Sequence, residues 1–282
     1  MRMWPLLTVL AAWSVFWAAT VSGQSLQYSS GQDVVPVFEG WEANADGTSS
    51  LVFGYLNRNY EEEVDIPVGP DNHIDLAPSG DAGQPTHFYP RRNRFIFRVK
   101  VPKDFGQKEV VWTLTAHGKT EKAYGHLLPE EIINDQVISE NRRGAGYAPG
   151  NKAPWIEIVG AADLRTPVND ALSLMVRAGD DGIPKRGPAA NSRPPGRFSG
   201  LGLRVNWIEY RGPENAKVTF DPWIRPGADK VPGWTPPEAP PDGKFTTKVK
   251  FSAPGTYVLR AIADDGYLYT PVHVSVTVTE PE

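Results

Sequence analysis

Hydrophobic and polar residues alternate in short runs along most of the chain. In the run RFIFRVKV, every second position is apolar and is occupied by Phe95, Phe97, Val99 and Val101. The last run, Val272–Val278, alternates valine with His273, serine and threonine. A period of two residues predicts strands with one buried and one solvated face. Because turn residues separate the runs and long helical periods are nearly absent, the pattern predicts an all-β protein built from sandwiches.

The first half of the chain predicts one β-sandwich domain over residues 24–141. Asp46-Gly47 is a hairpin signal between its first two strands. Leu128–Asn141 is the one segment with a helical pattern, and an extended linker is the alternative. The predicted strands are Val34–Glu39, Leu51–Asn57, Glu63–Val68, Arg94–Val101, Lys108–Ala116 and Lys119–His126.

A second sandwich is predicted over residues 155–282, after a linker at 142–154. The linker, RRGAGYAPGNKAP, is rich in glycine and proline and has no apolar period. Two long irregular segments, Asp180–Gly202 and Asp221–Lys244, interrupt the second domain. Its predicted strands are Trp155–Gly160, Ala171–Ala178, Leu203–Tyr210, Lys217–Phe220, Phe245–Phe251, Thr256–Ala263 and Tyr269–Thr279.

Residues 1–23 have the composition of a secretory signal peptide. A basic residue precedes an apolar run that ends in Val21-Ser22-Gly23, and small residues of this kind precede a cleavage site. An uncleaved N-terminal anchor is the alternative, since the apolar run approaches the length that spans a bilayer. No later segment is apolar enough to span a membrane. The sequence therefore predicts export to the periplasm or the extracellular space.

Composition excludes several classes of function. The chain of 282 residues has no cysteine, so disulfides, thiol nucleophiles and thiolate metal sites are absent. Its formal net charge is -4 with no basic stripe, which argues against a nucleic-acid partner. None of the five histidines forms a helical zinc pair, and no nucleophile elbow or phosphate loop occurs. His87, flanked by aromatic residues and arginines, is the hardest of them to set aside, although a packed loop explains it more simply.

The second domain resembles the PKD-like and cadherin-like extracellular β-sandwich modules. The run FSAPGTYVLRAIADDGYLYTPVHVSVTV carries the resemblance, together with LSLMVRAGDDGIP and LRVNWIEYRGPENAKVTF. It covers about residues 155–279 and implies an immunoglobulin-like fold. In such a fold we expect the hydroxyl of Tyr257 to bond backbone at a sandwich corner, and Trp207 to lie in the core.

The phrase Asp-Asp-Gly occurs twice, and the implied fold brings the two copies to one pole. The loops that follow the second, fourth and sixth strands emerge together, and two of them begin with these aspartates. Four nearby carboxylates attract a hard cation, and cadherin-like modules hold calcium between domains. Ordinary turn chemistry and pairing with arginines are the alternatives. The candidate calcium ligands are Asp180, Asp181, Asp264 and Asp265.

Two tryptophans, Trp223 and Trp234, fall in a proline-rich segment without periodicity. They are candidates for stacking on a sugar or on a protein partner, unless they attach the loop to its own domain. The sequence thus predicts an exported, non-enzymatic binding or scaffolding protein whose ligand is a protein or polysaccharide surface. The alternatives are a carbohydrate-binding or carbohydrate-active protein and a calcium-stiffened adhesion module.

Overall fold

The protein consists of two β-sandwiches in tandem, as the sequence predicts. A computed structural model describes residues 27–143, 147–161, 163–185, 201–221 and 239–281. The predicted signal peptide and the two loop tryptophans, Trp223 and Trp234, lie outside these residues. Within them, no helix is both long and apolar enough to cross a membrane.

Two three-stranded sheets and a short two-stranded one form the first domain. The larger sheets have the orders β1-β2-β6 and β4-β7-β8, and β3 pairs with β5. The sequence predicts six of these strands but not β4 and β5, which are too short to show a period. The strands are β1 Val34–Ala43, β2 Ser49–Asn57, β3 Val64–Asp65, β4 Asn72–Ile74, β5 His87–Phe88, β6 Arg91–Val101, β7 Val110–Ala116 and β8 Lys119–Gly125.

Aromatic side chains from both larger sheets fill the core of the first domain. Phe53 of β2 stacks on Phe97 of β6, with ring centroids 5.5 Å apart. Trp112 of β7 meets both rings edge-on and is fully buried. Its indole N–H donates to Asn72 Oδ1 at 3.0 Å, so the buried polar group is satisfied. Phe97, Val99 and Val101 face this core as the alternation predicts.

Phe95 departs from that alternation. Pairing between β2 and β6 shifts register here, so that Arg94, Phe95 and Ile96 lie opposite the single residue Gly54. Phe95 has a φ of 54°, in the left-handed region, and its ring packs on Leu268 of the second domain. A β-bulge re-aims side chains in this way. The prediction that Phe95 shares a face with Phe97 is therefore wrong.

The segment before the second domain contains a short helix. After a single 3-10 turn at Pro129–Glu131, α1 spans Asp135–Arg143. The Asn134 side chain accepts the Val137 backbone N–H at 3.0 Å, which satisfies an end group of the helix. Ile138 of α1 is buried against the second domain. The segment thus combines the helix and the extended chain that the sequence left as alternatives.

The second domain has the strand order of an immunoglobulin-like sandwich. One sheet has the order β13-β14-β11-β9 and the other β10-β16-β15-β12, which correspond to the ABED and CFG sheets of that fold. The sequence predicts seven of the strands; β10, which pairs in parallel with β16, is additional. The strands are β9 Trp155–Ile158, β10 Asp163–Pro167, β11 Leu172–Gly179, β12 Arg204–Arg211, β13 Val218–Asp221, β14 Lys244–Phe251, β15 Gly255–Asp264 and β16 Tyr269–Thr279.

Tyr257 and Trp207 occupy the positions that the sequence predicts. Tyr257 is fully buried at the start of β15, and its hydroxyl donates to the Ala253 carbonyl at 2.7 Å. Trp207 of β12 lies in the core between the two sheets. Trp155, by contrast, is 51 % exposed on the edge strand β9, where it lies over Gly179. An edge strand has only one neighbour to cover its side chains, which explains this exposure.

Candidate ligand site between the two sandwiches

One end of the interface between the domains is held by Arg211 of β12. Its guanidinium forms a two-pronged ion pair with Asp81, at 2.8 and 2.9 Å, and Nε donates to the Gln84 carbonyl at 2.7 Å. The neighbouring Tyr210 hydroxyl donates to the Gly83 carbonyl. Two-pronged arginine–carboxylate pairs fix geometry as well as supply energy. This end is therefore closed by directional, charge-assisted contacts.

The other end combines hydrogen bonds with an apolar cluster. Arg260 Nη1 donates to the Ile96 carbonyl at 2.6 Å, and the Tyr269 hydroxyl donates to the Phe95 carbonyl. Both carbonyls belong to the bulge of β6. The apolar cluster joins residues of both domains: Val52, Phe95, Ile133, Ile138 and Leu268.

A cleft of about 390 Å³ lies between these two ends. Its walls come from β5 and β6 of the first domain, from α1, and from β12, β15 and β16 of the second domain. The volume falls in the lower part of the range of small-molecule sites. The cleft is rich in guanidinium groups: Arg92, Arg94, Arg142, Arg204 and Arg260 all line it.

Arg260 is, with Arg204, one of the two most buried of these cations. The residue is 4 % exposed, and its guanidinium carbon lies 3.8 Å from the centre of the Tyr210 ring. Nε donates to His273 Nε2 at 2.8 Å. Burial, followed by the charge of Arg260, lowers the pKa of His273 to about 4. The imidazole is therefore neutral at pH 7 and accepts this hydrogen bond.

His87 is a buried cation beside the cleft. Its Nδ1 lies 2.7 Å from Asp65 Oδ1 and its Nε2 lies 3.2 Å from Glu63 Oε2. Burial alone lowers the pKa of His87, but the hydrogen bonds to these two carboxylates outweigh it and raise the pKa to about 10. The loop is packed, as the simpler explanation of the sequence holds, yet His87 is also charged at neutral pH.

Glu209 of β12 is the least satisfied acidic group in the cleft. The residue is 4 % exposed, and its Oε1 has no hydrogen-bond partner among the residues that the structure describes. Burial raises the pKa of Glu209 to about 7, although the charge of His87 opposes this effect. Asn206 Oδ1, three positions away on the same strand and also at the cleft, is likewise buried without a partner in the described chain. The cleft therefore presents two unsatisfied acceptors beside its arginines.

The two Asp-Asp-Gly phrases both lie against the linker. Asp181 Oδ2 accepts the Lys152 backbone N–H at 3.0 Å, and Asp265 Oδ2 accepts from Asn151 Nδ2 at 3.0 Å. Because Asn151 and Lys152 are consecutive, the phrases meet at one pole as the implied fold requires.

Each phrase also makes the same local turn. Asp180 Oδ2 accepts from the Gly182 N–H at 3.1 Å, and Asp264 Oδ1 accepts from the Gly266 N–H at 2.7 Å. Side chains of aspartate bond backbone two residues on in Asx turns. Asp264 Oδ2 further pairs with Arg142 and Arg204, at 2.8 and 2.9 Å. In the described ranges, no three histidine or acidic side chains form a group that could hold a metal ion. The calcium site stays a prediction.

Sequence reasoning did not find the cleft. Arg260 and Glu209 each stand inside an otherwise apolar strand, and a charge at such a position is the one local signal that pointed to them. Their meeting depends on how the two domains dock, which no local pattern contains.

Comparisons with known proteins give weak likenesses. No protein family matches the chain, and no curated protein matches it. Among solved structures, the N-terminal eight Ig domains of Down Syndrome Cell Adhesion Molecule are 7 % identical over 88 % of this chain and 27 % of that chain, with a TM-score of 0.26. Domains 4 and 5 of the S-layer protein SbsC are 12 % identical over 61 % of this chain and 66 % of that chain, with a TM-score of 0.22. A chimeric titin Z1Z2 is 9 % identical over 87 % of this chain and 97 % of that chain, with a TM-score of 0.25. Since these TM-scores carry no argument, the class of the second domain rests on its own strand order.

Proposed function

We propose that this protein is an exported, non-enzymatic binding or scaffolding module in which the two sandwiches act as one rigid body around the cleft. The observation that carries the proposal is the pair formed by Arg211 and Asp81, which joins the domains through two charge-assisted hydrogen bonds. Arg260 and Tyr269 hold the opposite end. Rotation of either domain breaks contacts at one end or the other, so the cleft keeps its shape.

Binding, rather than catalysis, fits the acidic groups of the cleft. Within the described chain, Glu209 and Asp264 are the acidic residues that line it. Asp264 is held by two arginines and so is not free to transfer a proton. Glycoside hydrolysis requires two cooperating carboxyl groups. A single available carboxyl, surrounded by guanidinium groups, is better suited to recognising a ligand.

The sequence supports two further parts of the proposal, the location of the protein and the origin of its second domain. The secretory N-terminus supports a place in the periplasm or outside the cell. The motifs around Tyr257 support a PKD-like or cadherin-like origin for the second sandwich, which commonly presents binding surfaces rather than active sites. A protein or polysaccharide surface is the partner class that agrees with this origin, and the cleft between the domains is a second place for a ligand.

Distance measurement between spin labels tests the rigid body. The chain has no cysteine, so Lys122→Cys in β8 and Lys250→Cys in β14 place one label on each domain at exposed positions. Double electron–electron resonance is expected to give a single narrow distance distribution. Adding Arg211→Ala is expected to broaden it. Arg177→Ala, which removes an exposed pair within the second domain, is the matched control and leaves the distribution unchanged. A broad distribution in the labelled parent protein contradicts the proposal.

A further inference from the structure

Charged side chains of both domains surround the cleft. Six cations line it, and five carboxylates either line it or pair with those cations. The cations are Arg92, Arg94, Arg142, Arg204, Arg260 and the imidazolium of His87. The carboxylates are Glu39, Glu63, Asp65, Glu209 and Asp264. Among the described residues, each of these cations except Arg260 lies within ion-pair distance of one of the carboxylates.

Arg260 is the exception among these cations. Its hydrogen bonds go to a carbonyl and to a neutral imidazole, and among the described residues no carboxylate lies within ion-pair distance of it. A buried charge without a counter-charge is costly, because desolvation is not offset by Coulomb attraction. Arg94 lies nearby on the cleft wall, partly exposed and 3.6 Å from the shared carboxylate of Glu39. An anion between these two guanidinium groups would receive donors from both.

The neighbouring acceptors constrain the rest of the ligand. Glu209 Oε1 and Asn206 Oδ1 are buried and unpartnered within the described chain, and both residues line the cleft. Buried acceptors without donors are unfavourable, so a ligand that supplies hydroxyl groups there gains affinity. An aliphatic acid offers no such donors. The cleft thus combines a cation suited to a carboxylate with buried acceptors suited to hydroxyl groups.

Size and charge narrow the class further. A volume of about 390 Å³ accommodates a ligand the size of one sugar unit. Phosphate monoesters carry nearly two negative charges at pH 7, whereas a single cation of the described lining, Arg260, lies beyond ion-pair distance of any described carboxylate. We propose that the cleft binds a small hydroxylated monocarboxylate of the sugar-acid class, with its carboxylate between Arg260 and Arg94 and its hydroxyl groups on Glu209 and Asn206. This inference rests on the proposed function, because the site needs two domains held in one orientation.

Calorimetric titration of the mature chain tests the ligand class. The probes are D-glucuronate, D-galacturonate and D-gluconate, with D-glucose as a neutral partner of matched shape and inorganic phosphate as a plain anion. We expect at least one sugar acid to bind at least tenfold more tightly than glucose and phosphate. Binding of none of the three sugar acids overturns the inference, and so does equal binding of glucose or phosphate.

Variants locate the binding. Arg260→Gln keeps a polar side chain but removes its charge, and is expected to weaken binding of the sugar acid by about thirtyfold or more. Arg94→Gln is a second variant on a more exposed side chain, expected to weaken binding about threefold to tenfold and to leave folding unaffected. Arg177→Gln, outside the cleft, is the control. Unchanged affinity in Arg94→Gln and in folded Arg260→Gln overturns the placement.

The distance measurement separates the two proposals. A narrow distribution without sugar-acid binding leaves the rigid module standing and removes the ligand class. A broad distribution removes the module, whatever the calorimetry shows.

Discussion

The hydroxyl of Tyr89 accepts the backbone N–H of Glu209 at 3.0 Å, which joins residues 120 positions apart. Tyr89 belongs to the loop after β5 in the first domain, whereas Glu209 lies on β12 of the second. This bond places the Glu209 carboxyl beside the charged cluster of His87. The electrostatic state of the cleft therefore depends on the docking of the two domains.

Glu209 makes stability fall as the pH rises. Its folded pKa is raised from 4.5 to about 7, so the folded protein holds this proton more tightly than the unfolded chain. The contribution is fully present below about pH 4.5 and is lost as the pH rises through 7. The unfolding free energy of Glu209→Gln, measured relative to the parent protein by denaturant unfolding, is expected to increase by up to ~3 kcal/mol from pH 4.5 to pH 8. A difference that does not change with pH contradicts this prediction.

His87 acts in the same direction over a higher range. Its folded pKa is raised from 6.5 to about 10, so its stabilising effect is complete below pH 6.5 and disappears as the pH rises through 10. We expect His87→Gln to be least stable, relative to the parent protein, at pH 6. Its loss of unfolding free energy is expected to become progressively smaller towards pH 10. His117→Gln, at the turn between β7 and β8, is the control, and its effect is expected to be small throughout. An equal loss for His87→Gln at both ends of the range argues against a charged His87.

Removal of the Tyr257 hydroxyl tests the corner of the second sandwich. Tyr257→Phe keeps the buried ring but leaves the Ala253 carbonyl without its donor. A net loss of about 1–2 kcal/mol in unfolding free energy is expected. Tyr124→Phe, which removes a hydroxyl from a side chain that is 49 % exposed, serves as the matched control. The prediction fails when the two variants are equally stable.

Calcium binding at the pole of the two Asp-Asp-Gly turns is tested by thermal unfolding with excess calcium and with chelator. A site saturated at a hundredfold over its Kd stabilises the fold by ~2.7 kcal/mol. The prediction from the sequence is a rise in Tm that disappears in the double variant Asp181→Asn and Asp265→Asn. Asp242→Asn, an exposed turn residue before β14, controls for general charge effects. A Tm that is the same in calcium and in chelator eliminates the site and leaves Asx turns as the role of these aspartates.

Local patterns predicted those parts of the fold that local forces determine. The position of Tyr257 follows from a turn and a strand that are adjacent in sequence, and Trp207 lies in a strand long enough to show its period. Phe95 was placed on the wrong face because a bulge depends on the pairing partner, and Gly54 lies about 40 residues away. The pole of the aspartates was predicted because the immunoglobulin-like order fixes which loops emerge together.

The cleft lay beyond such reasoning. Its two unsatisfied acceptors and its buried guanidinium come from β12 and β15, but they form a site only where the first domain closes over them. Charged residues in apolar strands mark where to look, as Glu209 and Arg260 show. They do not reveal the partner surface, because docking is a sum of long-range contacts.

One group of contacts between the domains is chemically one-sided. Four side chains of the second domain donate to four backbone carbonyls of the first: Tyr210 to Gly83, Arg211 to Gln84, Tyr269 to Phe95 and Arg260 to Ile96. A backbone carbonyl accepts a hydrogen bond whichever side chain its residue carries. These four hydrogen bonds therefore do not depend on which side chains the first domain carries, while the second domain must keep its four donors. Among related chains, the four bonds are expected to constrain the second domain alone, whereas the pair of Arg211 and Asp81 constrains both partners.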